Sequence, residues 1–280
     1  MDPLEEIRPL REVRDPAVRG RQAGQLLQKY QEAVQETSRI RREAMEELRD
    51  QGKTQQQIAD DMEVSRGRVS QLMTAGLPPE RVFLGDGRVT VAVAGKREAD
   101  KATPGSVVAE EDLHAYVALR DLCASVKLEA IHEIIQPPGV VDLNRDNLVV
   151  ICGPRLSPLI SQILGVDHNL AFQNDGGWHL VDQRTGTLYR SPMDSNQPGD
   201  FGYLARLPRP DRRGNFLYIA GIHAMGSAGV IHYLAQHLSE IYRDVKTRRF
   251  SCLIDCTFDP ETLEVTSSRL ITPLYRFEAS

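Results

Sequence analysis

The segment from residue 65 to residue 71 holds side chains that can bind nucleic acid. An Arg can donate two hydrogen bonds to guanine, a Gln can pair in the same way with adenine, and a Ser can bind a phosphate. No acidic residue occurs between Val64 and Pro79, so the segment is cationic although the chain has a formal net charge of −5. The side chains are Ser65, Arg66, Arg68, Ser70 and Gln71.

These residue types predict duplex DNA as a partner. We expect Arg66, Arg68 and Gln71 to read base edges, and Ser65 and Ser70 to lie at phosphates. The alternative is that the same segment forms a helical hairpin used for contact with another protein.

Two short helices would have to position these side chains. Thr54 and Ser65 are residue types that cap helices, and each precedes a segment with helical spacing of apolar residues. Lys53 and Thr54 are expected to touch the DNA backbone from the first helix. Glu63 and Val64 would form the turn. The positions expected to face inward are Ile58, Ala59, Met62, Val69 and Leu72.

The pattern K-T-x-x-x-I-A-x-x-M-x-V-S-x-x-x-V-S-Q, which begins at Lys53, resembles the helix-turn-helix of sigma factor region 4 and of related bacterial transcriptional regulators. The resemblance extends over about residues 37–76 and implies a DNA-binding function in transcription. The chain has Glu63 where the turn often has glycine, and a left-handed conformation is unfavourable for a residue with a side chain. No other sigma-factor region is recognisable, so a complete promoter-recognising sigma factor is not expected.

A helical stretch precedes this motif. Residues 1–17 are polar and interrupted by prolines, which indicates a flexible arm, and helical periodicity follows from about residue 18 to Asp50. This stretch could be one long helix, or two helices with a break near Thr37 and Ser38. It could pack on its own domain or dimerise. Prolines 78 and 79 end the N-terminal domain, which we place at residues 18–77.

The remainder, residues 78–280, alternates apolar strands with helices. This order predicts an α/β, Rossmann-like domain with a mostly parallel sheet, joined to the all-α helix-turn-helix domain. Residues 81–84 and 89–94 are expected to form a hairpin or two strands. The glycine loop of residues 220–229 and the segment LPRP are similar to parts of uncharacterised bacterial α/β domains, a resemblance that implies no activity.

Three junctions follow strands of this domain, near residues 95, 153 and 221. Ligands of open α/β sheets bind beyond the carboxyl ends of strands, where glycines allow close approach and a helix N-terminus offers free N–H groups. We therefore predict a small anionic ligand, and a phosphate-bearing nucleotide is one candidate. The alternative is that these glycines form simple turns or close helix–sheet contacts. The candidate ligand-binding residues are Gly95, Lys96, Gly153, Arg155, Gly221, His223, Gly226 and Ser227.

Catalysis is another interpretation of the same loop. His223 and Ser227 with Asp200 or Asp255 could form a Ser/His/Asp set, but no G-x-S-x-G motif is present. We therefore expect no enzyme activity. The basic turn RLPRPDRRGN, residues 206–215, is expected to be a solvated hairpin tip or, alternatively, a second contact with the DNA backbone.

Composition limits the remaining possibilities. With 41% hydrophobic and 26% charged residues, the chain is of globular type, and it has neither an apolar membrane span nor a signal peptide, so a cytoplasmic protein is expected. The four cysteines are scattered and are expected to be reduced core residues, with no metal or cofactor.

The combined hypothesis is a one-component transcriptional regulator. A homodimer is expected because DNA half-sites lie about one helical turn apart and a single small module binds weakly. The alternative is an enzyme or a protein-interaction domain that the helix-turn-helix tethers to DNA.

Overall fold

The computed structural model describes residues 6–74, 78–98 and 105–277. The chain divides into two compact units, Met1–Leu77 and Pro78–Ser280. Among the described residues, none of the helices combines the length and the apolar character that crossing a bilayer requires.

The N-terminal unit is entirely helical. A short 3-10 segment, Arg8–Glu12, lies where the sequence predicts a flexible arm, and it is followed by helices α1 (Pro16–Asp50), α2 (Gln55–Asp61) and α3 (Arg66–Thr74). Helix α1 is a single helix of 35 residues, without the alternative break near Thr37. Its start is fixed by Asp15, whose carboxylate accepts hydrogen bonds from the backbone N–H groups of Ala17 and Val18.

The core of this unit joins the end of α1 to the two short helices. Met45 of α1 is fully buried and packs with buried side chains of α2 and α3. Since α2 and α3 are too short to be stable helices in isolation, this shared core holds them in place. The residues of the core are Met45, Ile58, Ala59, Val69 and Leu72.

The C-terminal unit is built on an eight-stranded sheet. The strands are β1 (Arg88–Ala94), β4 (Glu129–Ile135), β5 (Leu148–Ile151), β9 (Gly199–Pro208), β10 (Asn215–Gly221), β11 (Phe250–Phe258), β12 (Val265–Leu270) and β13 (Tyr275–Arg276). Their order in the sheet is β12-β11-β9-β10-β5-β1-β4, and β13 pairs with β11 at one side.

Smaller elements complete the unit. Strands β2 (Lys96–Arg97) and β3 (Ser106–Val107) pair with each other, and β6 (Leu170–Asn174), β7 (Trp178–Asp182) and β8 (Thr187–Arg190) form a three-stranded antiparallel sheet. The helices are α4 (Glu110–Ser125), α5 (Pro158–Leu164) and α6 (Ala224–Val245), the last kinked at His237, and 3-10 segments cover Pro79–Phe83, Pro154–Leu156 and Pro192–Ser195.

The two faces of the large sheet bury different residues of the same strands. In β1, Val91 and Val93 face a core that includes side chains of α4 and α6, whereas Ala92 and Ala94 face a core that includes Ile160 of α5. This alternation follows from the two-residue period of a strand. The unit therefore has three layers, with α4 and α6 on one face and α5 and the small sheet on the other.

The expected α/β class and the helix-turn-helix are confirmed, and the large sheet is mixed. Strands β10, β5, β1 and β4 are parallel, whereas β9, β11 and β12 pair in antiparallel fashion. The antiparallel half arises because β9 and β10 are joined by the tight turn that carries the basic residues near Arg212, and a hairpin reverses the chain.

The expected strand at residues 81–84 is wrong. Residues 81–83 lie in the 3-10 segment Pro79–Phe83, and Leu84 ends it; Pro79 occupies the first helical position, for which its fixed φ is suited. Phe83 is buried, and its ring lies 5.8 Å from that of Phe250.

Candidate nucleic-acid interface and anion cleft

The turn between α2 and α3 is a left-handed helix end. Glu63 has φ 53°, which places it in the left-handed region that the sequence pattern requires there. Its N–H donates to the Asp60 carbonyl at 3.3 Å, and the N–H of Val64 donates to the Ala59 carbonyl at 2.9 Å. These two bonds form a Schellman motif, which satisfies carbonyl groups at the end of α2.

The other end of each short helix has a side-chain cap. The Thr54 hydroxyl accepts from the Gln57 N–H at 3.3 Å, and the Gln57 side chain accepts from the Thr54 N–H at 2.9 Å. The Ser65 hydroxyl accepts from the Arg68 N–H at 3.1 Å. Ser65 therefore positions α3, and its hydroxyl proton remains available to donate to a phosphate.

Helix α3 presents two different faces. Val69 is fully buried and Leu72 is nearly so, whereas Arg66, Arg68, Ser70 and Gln71 are exposed. The Arg68 guanidinium donates to the Gln71 side-chain oxygen at 3.4 Å, so these two predicted base readers are neighbours on the exposed face. Lys53, the predicted backbone contact of the first helix, forms an ion pair with Asp61.

Residues 38–78 match the family model of sigma-70 region 4.

The match covers both short helices, the left-handed turn and the end of α1. It supports a helix-turn-helix like that of sigma factor region 4, and such a motif suggests DNA binding in transcription regulation. Neither the curated proteins nor the solved structures include a match to the chain.

The C-terminal unit has a narrow cleft beyond the ends of its parallel strands. The structure brings six of the candidate ligand-binding residues to its walls, together with Asp112, Phe172 and Trp178. Its volume of about 20 Å³ holds little more than one water molecule. The six candidates at the cleft are Lys96, Gly153, Arg155, Gly221, His223 and Ser227.

Gly95 and Gly226 lie behind this wall, in close packing contacts. A Cβ atom at Gly95 would lie 2.6 Å from the Ser106 hydroxyl, and one at Gly226 would lie 2.3 Å from the Phe201 carbonyl oxygen. A Cβ at Gly221 would collide with the His223 carbonyl oxygen. These glycines are therefore required where the chain packs closely, which was the alternative interpretation of the loop.

Gly153 differs from these three. A Cβ there would meet only the side chain of Arg155, at 3.9 Å, and its φ of −65° is accessible to any residue. The open space beside Gly153 is the cleft itself. Arg155, two residues later in the 3-10 segment Pro154–Leu156, is exposed.

The start of α6 does not offer the expected set of free N–H groups. The buried carboxylate of Asp200 accepts from the N–H groups of His223 at 2.9 Å and Gly226 at 2.7 Å. Burial raises the pKa of Asp200 to about 6. A protein carboxylate thus already occupies part of the position where an anionic ligand was expected.

The other polar groups of the loop also have partners within the chain. His223 Nε2 lies 2.8 Å from the Asp194 carboxylate, and the Ser227 hydroxyl accepts from the Gly221 N–H at 3.0 Å. The side chain of each predicted member of a Ser/His/Asp set therefore bonds to a group other than the side chain of another member. Asp255 pairs with Arg269 on the antiparallel half of the sheet.

Sequence reasoning missed Asp112 as part of the cleft. It lies in the first turn of α4, where acidic residues are common on exposed surfaces, and nothing in its spacing marks it as buried. Burial raises its pKa, although Lys96 and Arg155 lower it. The aromatic walls are related by register: Phe172 pairs with Leu180, which places Trp178 diagonally across on the same face of the small sheet.

Proposed function

We propose that the chain is a one-component transcriptional regulator whose helix α3 enters the major groove of DNA. The observation that carries this proposal is the division of α3 into a buried apolar face and an exposed face with Arg66, Arg68 and Gln71. The exposed side chains can reach base edges while the buried ones fix the angle of the helix. The ligand and dimer proposals below extend this function to the rest of the chain.

To test this, the preferred DNA site of the full chain is first selected from duplexes of random sequence. Arg68→Ala should weaken binding to that site by about 1–3 kcal/mol and relax the preference at one base position. The matched control is Arg120→Ala, which removes an exposed arginine from α4 of the C-terminal unit. Equal affinity of the Arg68 variant and the unmodified chain in a gel shift would contradict the proposal.

We further propose that two copies associate through α1. This helix exposes a short apolar stripe on one face: Leu27 is 59% exposed, and Val34, seven residues later, is 65% exposed. The sequence of its first half, up to residue 31, has only basic charges, whereas acidic residues outnumber basic ones in the second half. Antiparallel pairing of two copies would bury the apolar stripe and set opposite charges against each other.

Analytical ultracentrifugation tests this association. Val34→Glu should shift the full chain from dimer to monomer, since a charge on this face of α1 would be buried in the dimer. Leu113→Glu changes another exposed apolar side chain, which is 52% exposed in the other unit, and should leave the dimer intact. Sedimentation of the unmodified chain as a monomer would contradict the dimer proposal and leave the DNA-binding proposal unaffected.

We propose that the cleft of the C-terminal unit receives the anionic group of a small ligand. The cleft lies beyond the ends of the parallel strands, where Rossmann-like domains bind their ligands. Lys96 and Arg155 supply positive charge there, and Phe172 and Trp178 supply an apolar wall. Because the cleft is narrow, binding requires the exposed Arg155 side chain to move outward. We propose no catalysis at this cleft, since His223 and Ser227 are engaged elsewhere.

A thermal-shift titration tests the cleft with inorganic phosphate and with nucleotides. A ligand that binds the folded chain raises its melting temperature by mass action. Gly153→Leu should abolish the shift by filling the cleft, and Arg155→Ala should reduce it. Shifts of equal size in Gly153→Leu and in the unmodified chain would place the ligand elsewhere.

A further inference from the structure

The C-terminal unit has a second, much larger concave surface that the proposed function leaves unused. This groove has a volume of about 1010 Å³. Segments that are distant in sequence contribute arginines to it, and no Asp or Glu is among the described residues that line it. We name it the arginine groove, after Arg184, Arg209, Arg212, Arg249 and Arg276.

Neutral acceptors hold several of these guanidinium groups. Arg249 donates to the side-chain oxygen of Asn215 at 2.7 Å, and Arg276 donates to the backbone carbonyl of Asp244 at 2.9 Å. Arg184 donates to the side-chain oxygen of Asn169 at 3.4 Å. A carboxylate in these positions would cancel the charge, whereas an amide or carbonyl oxygen fixes the side chain and leaves the positive charge in place.

Arg209 has a different role in the groove. It is nearly buried and forms ion pairs with Asp146 and Asp211. Its charge is therefore compensated, and it fixes the β9–β10 turn that carries the exposed Arg212. The other arginines of the groove are spread over an open surface, although the chain as a whole has a formal net charge of −5.

We propose that the arginine groove binds the phosphodiester backbone of duplex DNA without reading its sequence. Guanidinium groups match phosphates in geometry and charge, and contacts to phosphates position a protein on DNA regardless of base sequence. Small-ligand sites enclose most of their ligand, whereas here the cations are distributed along an open groove. The basic turn of residues 206–215 then contacts the DNA backbone and is not only a solvated hairpin tip.

The experiment measures binding of a short duplex of random sequence to the full chain carrying Arg68→Ala, so that the helix-turn-helix contributes little. Adding Arg184→Gln with Arg276→Gln should weaken this binding at low salt about tenfold and lower the slope of log K against log salt by about two, one for each lost phosphate contact. The matched control is Arg88→Gln with Arg120→Gln. These two arginines are exposed on the same unit but pair with Glu129 and Asp121.

An unchanged slope in the control pair, with a reduced slope in the groove pair, supports the proposal. Equal effects of the two pairs overturn it, because they would reflect only the net charge. Binding of tripolyphosphate at the groove without binding of duplex also overturns it. Fluorescence of Trp178, the only tryptophan, reports whether the groove variant is folded. If the groove variant is not folded, the single variant Arg212→Gln, at the exposed turn, is measured in its place.

This test separates the two proposals. Failure of the groove variant to lose nonspecific binding leaves the Arg68-dependent recognition of the selected site untouched. Conversely, loss of sequence preference on removal of Arg68 is expected whether or not the groove binds DNA.

Discussion

The backbone N–H of Gly226 donates a hydrogen bond to the buried Asp200 carboxylate, with 2.7 Å between the nitrogen and Oδ2. Asp200 lies at the start of β9 and thus caps a helix that begins more than twenty residues later in the chain. A Cβ atom at Gly226 would lie 2.8 Å from that same oxygen. The glycine is therefore what lets the carboxylate reach the helix end.

Asp200→Ala should destabilise the C-terminal unit by about 1–3 kcal/mol, because it removes the acceptor of the His223 N–H and leaves the buried Gly226 N–H only its 3.3 Å bond to the His223 carbonyl. Asp200→Asn should cost less, since its amide oxygen can still accept one of these bonds. Denaturant unfolding followed by Trp178 fluorescence measures both variants in the full chain. Equal stability of Asp200→Ala and the unmodified chain would show that the cap is dispensable.

The same residue predicts a pH dependence. Burial raises the pKa of Asp200 from 3.8 to about 6, so between these values the folded chain keeps a proton that the unfolded chain has lost. Stability from this group therefore falls as pH rises from about 4 to 6, by at most about 3 kcal/mol, and is then constant. The free energy of unfolding of Asp200→Asn, relative to the unmodified chain, should rise over this window. A difference independent of pH would show that the carboxyl is not perturbed.

Glu63→Gly should stabilise the helix-turn-helix by about 0.5–1 kcal/mol, because glycine adopts the positive φ of this turn without steric cost. Hydrogen exchange of the backbone amides in α2 and α3, measured in the full chain, should slow a few-fold. Glu63→Ala is the control, since it removes the same side chain but retains the restriction on φ. Equal exchange rates in the two variants would contradict this account of the turn.

Ser65 can be tested as both cap and phosphate contact. Ser65→Ala should destabilise α3 by about 1 kcal/mol, whereas Ser65→Asp should keep the cap, because Asp accepts the Arg68 N–H equally well. If Ser65 faces a phosphate, the Asp variant should bind DNA much more weakly at unchanged amide protection, since like charges repel. Full DNA binding by Ser65→Asp would remove Ser65 from the interface.

Arg206→Lys should destabilise the C-terminal unit by about 2–4 kcal/mol. The buried guanidinium donates to the carbonyl oxygens of Phe83, Lys246 and Arg248, and it lies 4.6 Å from the centre of the Phe83 ring. A lysine has one ammonium group and cannot reach all three acceptors. Arg213→Lys, on the exposed part of the same hairpin, is the control for Trp178-monitored unfolding. Indistinguishable midpoints for the two variants would refute this role.

The sequence alone was sufficient for the helix-turn-helix because its signals are local. Caps such as Thr54 and Ser65, the turn at Glu63 and the inward positions of α2 and α3 all act within a few residues of one another. The same holds for strands such as β5, whose continuous apolar run marks a strand buried on both faces. The 3-10 segment that ends at Phe83 could not be predicted in the same way, because Phe83 is buried by a partner distant in sequence, Phe250.

Only the tertiary structure decided which charges meet. Arg184, Arg249 and Arg276 share a groove because β7, β11 and β13 converge there, and Asp200 reaches the start of α6 because β9 lies beneath that helix. Sequence spacing carries no record of such long-range neighbours. Local periodicity and capping therefore determined the two short helices, whereas packing between strands and helices placed the arginines in one groove and the Asp200 carboxylate at the start of α6.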